Sequence, residues 1–398
     1  MGNLTLDSLA TDIYVAADVV GREAVGFIPA VTMNADSTRA AVGDTIKAAV
    51  TPSSSAAQDI AGGAMAIPEG ENQTIGNSTF QIGKSKAVQI PMSGEQELQL
   101  RNAGTYDTVY GDLIAQAMRT LTNEMEADLA VTAQGNFSRF AGTAGTTPFG
   151  FSATTSGLED LAAVRQQLVD NGAANGDLQG VFNTVAGAKF RASNNIVNVD
   201  AAGSDSLRTQ GVLMPMYGID VRESSQISSY DSVGTDAAMA INNGLIAAGS
   251  TTLTVDANTA DGTGSIDSGD LLSLAGDSTG YVASGTGTAN EAAGGTIVLR
   301  GDKGLRNATA NDAAVTVERA LYNPNFVFAR SSIELAMRAP AIPSIGDAAD
   351  DAVLVQDPHS GLVFEIRIYK GYKKSMIEVA ASWGTKAWKP DFIAALIG

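Results

Sequence analysis

The sequence predicts an α+β chain in which helices and strands occupy separate stretches. Three observations carry that reading. Residues 105–134 form one long amphipathic pattern without a proline. Residues 31–100 break into short extended pieces between turn residues. Residues 244–317 are almost wholly Gly, Ala, Ser, Thr and Asp, punctuated by strand-like runs.

The first element is a helix over 6–24, where Leu6, Leu9, Ile13, Ala17, Val20 and Ala24 recur at three- and four-residue steps until Gly26 and Pro29 end the pattern. One amphipathic helix at this end needs a surface to cover it, in this chain or a neighbouring one. The pieces that follow, AVGDTIKAAV, TPSSSAAQ, AGGAMAIPEGENQTIG and STFQIGKSKAVQIPMS, read as a long β-excursion with little core of its own. In the last of them Phe80 and Ile82 are answered by Val88 and Ile90 around GKSK.

The 105–134 helix carries Tyr110, Leu113, Ile114, Ala117, Met118, Leu121, Met125 and Leu129 on one stripe, and Gly135-Asn136 stops it. Its length is roughly 45 Å at 1.5 Å per residue, well over twice that of an ordinary globular helix. A Gly/Thr/Ser/Phe-rich loop spans 136–155. The S-x-x-E box Ser156–Glu159 then predicts the start of a helix ending at Asn171-Gly172. GVFNTVAGAKFRAS reads as a short strand plus a short helix, and LMPMYGIDVRES (213–224) as a turn and a strand. Within 244–317 the runs TTLTV, DLLSLAG, TGYVAS, GGTIVLR and AAVTV predict a small, self-contained β-barrel or sandwich, inserted because strand-and-helix grammar resumes at Asn323.

NFVFARSSIELAMRAP, Asn325–Pro340, alternates Phe326 and Phe328 against Val327 and Ala329, which predicts a strand buried on both faces. Ser331 or Ser332 then offers an N-cap, and Ile333–Arg338 reads as a short helix stopped by Pro340. After Pro343 come a loop with one strand and a β-hairpin. There Leu362, Phe364, Ile366 and Ile368 alternate with Glu365, Arg367 and Tyr369, and Ile377 and Val379 lie in the return strand.

Composition narrows the function classes. The 398 residues hold 43 acidic and 25 basic side chains, a net charge of −18, which repels nucleic acid over most of the surface and excludes a general DNA or RNA binder. There is no cysteine, so disulfides, thiolate zinc sites and cysteine nucleophiles are excluded. The first residues, MGNLTLDSLATD, are not expected to be a signal peptide; Leu6 breaks the myristoylation pattern; no run approaches transmembrane length.

No catalytic, cofactor-binding or metal-ligating residue is nominated. The single histidine, His359, lies in a loop, where a lone histidine is ordinarily solvated. DANTADGTGSIDSGD (256–270) looks like a calcium loop, but from Asp256 the fifth position is Ala260 and the glycine falls one late, at 262, so a β-turn is the better reading. Asp347, Asp350 and Asp351 lack ligand spacing and read as a solvated loop. No phosphate-binding glycine motif or G-x-S-x-G elbow appears, and Ser331 and Ser332 lack flanking glycines. Lys370, Lys373, Lys374, Lys386 and Lys389 form the one basic concentration, suited to acidic neighbours or to another copy of an acidic chain. The inventory is a long rod, a thin β-arm, a terminal helix and a compact centre. Such parts make sense if arms and rods pack on neighbouring copies.

The order of parts resembles the major capsid (coat) proteins of tailed bacteriophages, with the Hong Kong phage-type fold shared with herpesviruses, and most of all the short-tailed Salmonella phage coat proteins with an inserted β-domain. The residues that carry the resemblance are DIYVAADVVGREAVGFIPAV (12–31), AVQIPMSGEQELQL (87–100), the helix from Tyr106, MYGIDVRES (216–224), Asn325–Pro340 and EIRIYKGYKKSMIEVAASWGTK. It implies an N-terminal arm over 1–45, an extended loop over 46–100, and a peripheral domain over 101–200 whose spine helix is 105–134. It further implies an axial domain in two parts, 201–243 and 318–344, with 244–317 inserted, and peripheral C-terminal strands over 345–398. Phe326 and Phe328 would then anchor an axial-domain strand.

Implied too is a non-enzymatic subunit that self-assembles as hexamers and pentamers into an icosahedral shell around double-stranded DNA. It would be built in the host bacterial cytoplasm with a scaffolding protein and a portal, and would accept a decoration protein. The acidity would leave packaged DNA only weakly, non-specifically held. Some members of the wider fold crosslink a loop lysine to a neighbour's asparagine. Lys84 and Lys86 sit near the expected loop tip, but no motif identifies a partner or a catalytic glutamate, so no crosslink is expected. Two alternatives remain: an encapsulin-like shell around protein cargo, against which the 244–317 insertion argues, and a secreted β-rich adhesin or surface-layer protein, against which the absent export signal and the long rod argue.

Overall fold

The computed structural model describes residues 6–23, 26–50, 76–104, 106–146, 148–149, 158–192, 213, 215–232, 239–242, 244–257, 263–290, 294–357 and 360–398. In chain order its elements are α1 (Leu6–Glu23), β1 (Thr32–Ala40), β2 (Thr45–Val50), β3 (Gly76–Gln81), β4 (Lys84–Ser93), α2 (Gly94–Ala103), α3 (Tyr106–Asn136), β5 (Arg139–Gly142), α4 (Glu159–Asp170), β6 (Leu178–Asn183), α5 (Thr184–Arg191), β7 (Ile219–Ser224) and β8 (Met239–Ile241). These are followed by β9 (Thr252–Ala257), β10 (Thr263–Ile266), β11 (Leu271–Leu274), β12 (Gly280–Val282), β13 (Gly287–Asn290), β14 (Gly295–Val298), β15 (Ala314–Glu318), β16 (Pro324–Ala329), β17 (Ile333–Pro340), β18 (Ala349–Gln356), β19 (Val363–Gly371), β20 (Lys374–Ala387) and β21 (Ile393–Ile397).

Two sheets organise the chain. In the six-stranded sheet, β20 pairs antiparallel with β19, β17 and β4, β18 extends it beyond β19, and β1 runs parallel to β17. The eleven-stranded sheet runs β14-β9-β8-β15-β11-β12-β5-β21-β16-β6-β7. Beside them stand two two-stranded ladders, β2–β3 and β10–β13.

The long helix is present as expected: α3 has 31 residues, and Tyr110, Ile114, Met118, Leu121, Met125 and Leu129 are all buried, with Leu113 half-buried. That stripe packs on β4 and β20, and α1 lies against α3 through Ile13, Ala16, Ala17 and Val20. The side chains of Leu6 and Leu9 lie outside the described residues. Gly135 and Asn136 form the last helical turn.

β16 is buried on both faces for the reason its alternation suggested. Phe326 and Phe328 belong to the core shared with α1 and α3, and Val327 and Ala329 to a second core under α4 and α5. Phe27, from the turn after α1, stacks on Phe328 at 6.1 Å and meets Phe326 at 6.0 Å; Phe137, just beyond α3, closes on Phe326 at 6.0 Å.

The helix expected at Ile333–Arg338 is instead strand β17. A three-residue 3-10 turn, Arg330–Ser332, carries the chain out of one sheet and directly into the other. Ile333, Leu335 and Met337 alternate inward at period two, and the ladders offered by β20 and β1 outweigh the local helical propensity of ELAMR. α4 also departs from expectation. It begins at Glu159 with Leu158 as its uncapped N-cap residue, and the capping box fell at Ser156, outside the described residues. Its end at Asn171 and Gly172 (φ +96°) is as read.

The five runs of 244–317 are all strands, with β8, β10 and β13 beside them, around a cluster that includes Leu253, Val255, Leu272, Tyr281, Ile297 and Val315. Their ladder does not stop at their own border, because β12 pairs with β5. Gly280 permits that seam: a Cβ there would lie 2.5 Å from the Phe140 carbonyl oxygen. Pairing also crosses the 200/201 and 344/345 boundaries implied above, β6 with β7, β16 with β21, and β17 with β20.

Candidate interaction surfaces

GKSK does not turn β3 back onto β4. β3 pairs with β2, while β4 runs ten residues along β20, from Ser93 against Lys374 to Lys84 against Trp383. Lys84 and Lys86, expected near a loop tip, therefore lie at the base of the excursion, on the long helix. Lys84 Nζ is 2.6 Å from Asp128 Oδ1, and Lys86 pairs with Glu124, one helical turn earlier. The indole Nε1 of Trp383 donates to Asp128 Oδ2 at 2.8 Å. Residues 51–75 lie outside the described residues.

The β2–β3 ribbon leaves the body at a small anchor. Phe80 and Ile82 are buried with Ala40 and Ala336, Phe80 meets Trp388 edge-on at 5.5 Å, and the Gly83 N–H donates to the Trp383 carbonyl. Gly384 makes room beneath it, since a Cβ there would lie 2.3 Å from the Gln81 carbonyl oxygen. Beyond the anchor, β2 and β3 pair with each other and, among the described residues, with no other strand. On α1 the outward face carries Tyr14, Val15 and Val19, exposed by 53%, 58% and 39%.

Two buried charge groups hold the body together. In the six-stranded sheet the face expected to be polar carries Glu365 and Arg367, both buried. Glu365 accepts from both terminal nitrogens of Arg39, at 2.6 and 3.1 Å, and from Arg367 at 2.9 Å. Arg367 also pairs with Asp347, which accepts from the Tyr369 hydroxyl at 3.0 Å. Burial pushes the Arg367 guanidinium down, but hydrogen bonds to Tyr369 and Glu365 and the charges of Glu365 and Asp347 outweigh it, so its pKa stands above the ordinary value. Asp347 is held below the ordinary carboxylate range, first by the Ala349 N–H and then by Tyr369 and Arg367. The Asp347, Asp350, Asp351 group is thus not simply solvated: Asp347 is tied to Arg367 and Asp350 sits 2.6 Å from Lys370.

The second group is Glu126 on α3. Its carboxylate accepts from the backbone N–H groups of Phe27 and of Ile28, the latter at 3.0 Å, and from Ser224. It thereby joins the turn after α1, the long helix and the end of β7. Burial raises its pKa, against the lowering effect of those hydrogen bonds. Gly26 permits the approach, because a Cβ would fall 1.7 Å from Glu126 Oε1. The cavity beside it, about 290 Å³, is lined by Glu126 itself with Arg119, Asn123, Glu223, Ser224 and Gln226 among others.

The turn that carries Ser331 and Ser332 joins two strands. Ser332 is fully buried and its hydroxyl donates to the Ala329 carbonyl at 2.7 Å, closing the 3-10 turn. His359 lies outside the described residues, as does 258–262 within the calcium-like stretch. At the end of that stretch, Asp270 is buried and paired with Arg319 at 2.7 Å. No group of three or more possible metal ligands occurs among the described residues. Neither buried group was legible in advance; for the ion pair the signal available was Glu365 and Arg367 standing two apart in a strand with apolar neighbours.

No protein-family model matches the chain, and no curated protein does. Solved structures that align with it include the capsid of cyanophage P-SCSP1u, 12% identical over 94% of this chain and 88% of that one, with a TM-score of 0.45. A virus-like particle from Pyrococcus furiosus is 8% identical over 97% and 98%, TM-score 0.44. The mature capsid of bacteriophage PhiM1 is 10% identical over 93% and 86%, TM-score 0.42.

Proposed function

We propose that this chain is a structural shell subunit, the major capsid protein of a tailed bacteriophage, which self-assembles around double-stranded DNA. The observation that carries the reading is the β2–β3 ribbon. It forms a two-stranded ladder that pairs with no other strand among the described residues, and Lys386 of β20 reaches its edge at the Thr79 carbonyl, 2.8 Å away. An isolated two-stranded ribbon is marginal in water, and open edges are stabilised by further contacts. The exposed Tyr14, Val15 and Val19 face of α1 asks for the same cover. A neighbouring copy supplies both at once, and repetition of one such contact closes a shell.

In this reading 1–45 is the N-terminal arm, 46–100 the extended loop, α3 the spine helix and 244–317 an inserted β-domain. The peripheral body is 101–200 with 345–398 and the axial body 201–243 with 318–344, each drawing on both sheets, which the turn from β16 to β17 joins. Hexamers and pentamers, a scaffolding protein, a portal and a decoration protein are the partners this role calls for. The net charge of −18 keeps packaged DNA loosely held, free to slide during filling and ejection. Salt-sensitive filter binding of DNA by assembled shells, if tight, would contradict that last point. The role itself is tested by imaging the purified chain: closed shells are expected, and a chain that stays monomeric at every concentration refutes it.

A further inference from the structure

A cavity of about 580 Å³ lies beside the turn from β16 to β17. Arg330 lines it from that turn and Arg222 from β7. The chain between α1 and β1 supplies an apolar wall through Ile28, Pro29 and, at the start of β1, Met33. The two arginines are its charged lining, and among the described residues no carboxylate lines it. Two cations facing one recess run against the grain of a chain whose net charge is −18.

Neither guanidinium is fully engaged by the fold. Arg222 donates to the amide oxygen of Gln179, a neutral acceptor, and forms no ion pair among the described residues. Arg330 Nε is buried without a hydrogen-bond partner; its ion pair with Asp177 is long, 3.4 Å, and the Asp177 side chain is 58% exposed. Burial lowers the Arg222 pKa, the charges of Asp220 and Asp177 act against that, and the charge of Arg330 lowers it further. The two cations are therefore close enough to repel, a cost that an anion between them removes. The hydroxyls of Thr32 and Ser360 also reach the cavity, but they already donate to the Arg330 carbonyl and to Asp357. The donors left for a ligand are the guanidinium groups.

We propose that this cavity binds a small phosphate-bearing ligand, of the class of a nucleoside monophosphate, with its phosphate between Arg222 and Arg330 and its less polar part against Ile28, Pro29 and Met33. Two planar forks of N–H donors match the oxygens of a phosphate, and its double charge answers two cations. The volume falls in the range of small-molecule sites, and an apolar wall with a few convergent charges is their usual lining. Size and charge favour a small ligand over a nucleic acid: a duplex cannot enter a recess of this size, and the acidic chain repels a polyanion more than a single phosphate. The cavity lies within one chain, so the inference does not rest on the shell reading.

The test is calorimetric titration of the purified full chain with adenosine monophosphate, adenosine, inorganic phosphate and a short DNA duplex. One adenosine monophosphate per chain should bind with a Kd below about 1 mM, and adenosine at least about tenfold more weakly. Inorganic phosphate should compete with the nucleotide. Arg222→Met and Arg330→Met should each raise the Kd by about tenfold or more. Arg222→Lys keeps the charge and loses the fork, so it should fall between parent and Arg222→Met. If the parent chain binds neither adenosine monophosphate nor phosphate at about 10 mM, the proposal is overturned, and that result depends on no variant. Unchanged affinity in both methionine variants also overturns it, by placing the ligand elsewhere. So does adenosine binding as tightly as its phosphate, or the duplex binding more tightly than the nucleotide. None of these outcomes bears on the shell reading, and a chain that never assembles leaves this binding measurable.

Discussion

Replacing Glu365 by leucine removes the acceptor at the middle of the buried ion group. Glu365 is 2% exposed and takes three hydrogen bonds, two from Arg39 and one from Arg367. The partners respond differently. The Arg39 side chain is 38% exposed and turns to water, at a cost of under about 1 kcal/mol. The Arg367 side chain is 6% exposed and stays behind, with Asp347, Tyr369 and, across the ladder, Glu378 as its remaining neighbours. Breaking a buried pair from one side costs about 3–5 kcal/mol when the remaining charge is orphaned; Arg367 keeps Asp347, so the loss here lies toward the lower end of that range. The double variant Glu365→Leu with Arg367→Met removes both charges and should recover at least about 2 kcal/mol of that loss. Trp383 and Trp388, the two tryptophans of the chain, lie in and just after β20, so urea unfolding followed by tryptophan fluorescence reports on this sheet. If Glu365→Leu changes stability by less than about 0.5 kcal/mol, or if the double variant is no more stable than the single, the group does not hold the sheet in the way described.

Phe328→Ala should cost about 3–5 kcal/mol, because it empties the position stacked on Phe27 where the two sheets meet; an unchanged urea midpoint would place β16 outside the core. Glu126 gives a pH dependence of known sign. Its raised pKa means that, in a window above the ordinary carboxylate value, the folded chain holds a proton that the unfolded chain has released, so the contribution of Glu126 to stability is full below that value and is lost as pH rises through the window. Glu126→Gln should flatten that slope, which unfolding midpoints across the acidic range will show. Gly384→Ala sets a Cβ against the Gln81 carbonyl and should cost about 1–3 kcal/mol while releasing the β2–β3 ribbon to early proteolysis. A variant cleaved no faster than the parent would separate Gly384 from the anchor.

The elements legible in the sequence were those whose period is self-contained. The α3 stripe and the two-faced alternation of Phe326–Ala329 each state which side is buried, and the structure buries those sides. Ile333–Pro340 was read as a helix because its local composition favours one, and nothing local reveals that β1 and β20 offer ladders on both edges. Lys84 and Lys86 were misplaced for a related reason. GKSK looks like a hairpin tip, but β4 finds its partner about 290 positions away, a pairing that no local signal announces. The interaction surfaces were partly legible. The terminal helix in need of cover and the basic hairpin are visible as patterns, whereas the burial of Glu365 and Arg367 exists only once the sheet is built.

The claim that this chain is made to pack on copies of itself is tested most directly by electron microscopy of the purified protein after concentration. Closed shells of one or a few discrete diameters are predicted. A uniform field of single chains, with no ring, sheet or shell at any protein concentration or salt, would contradict the account.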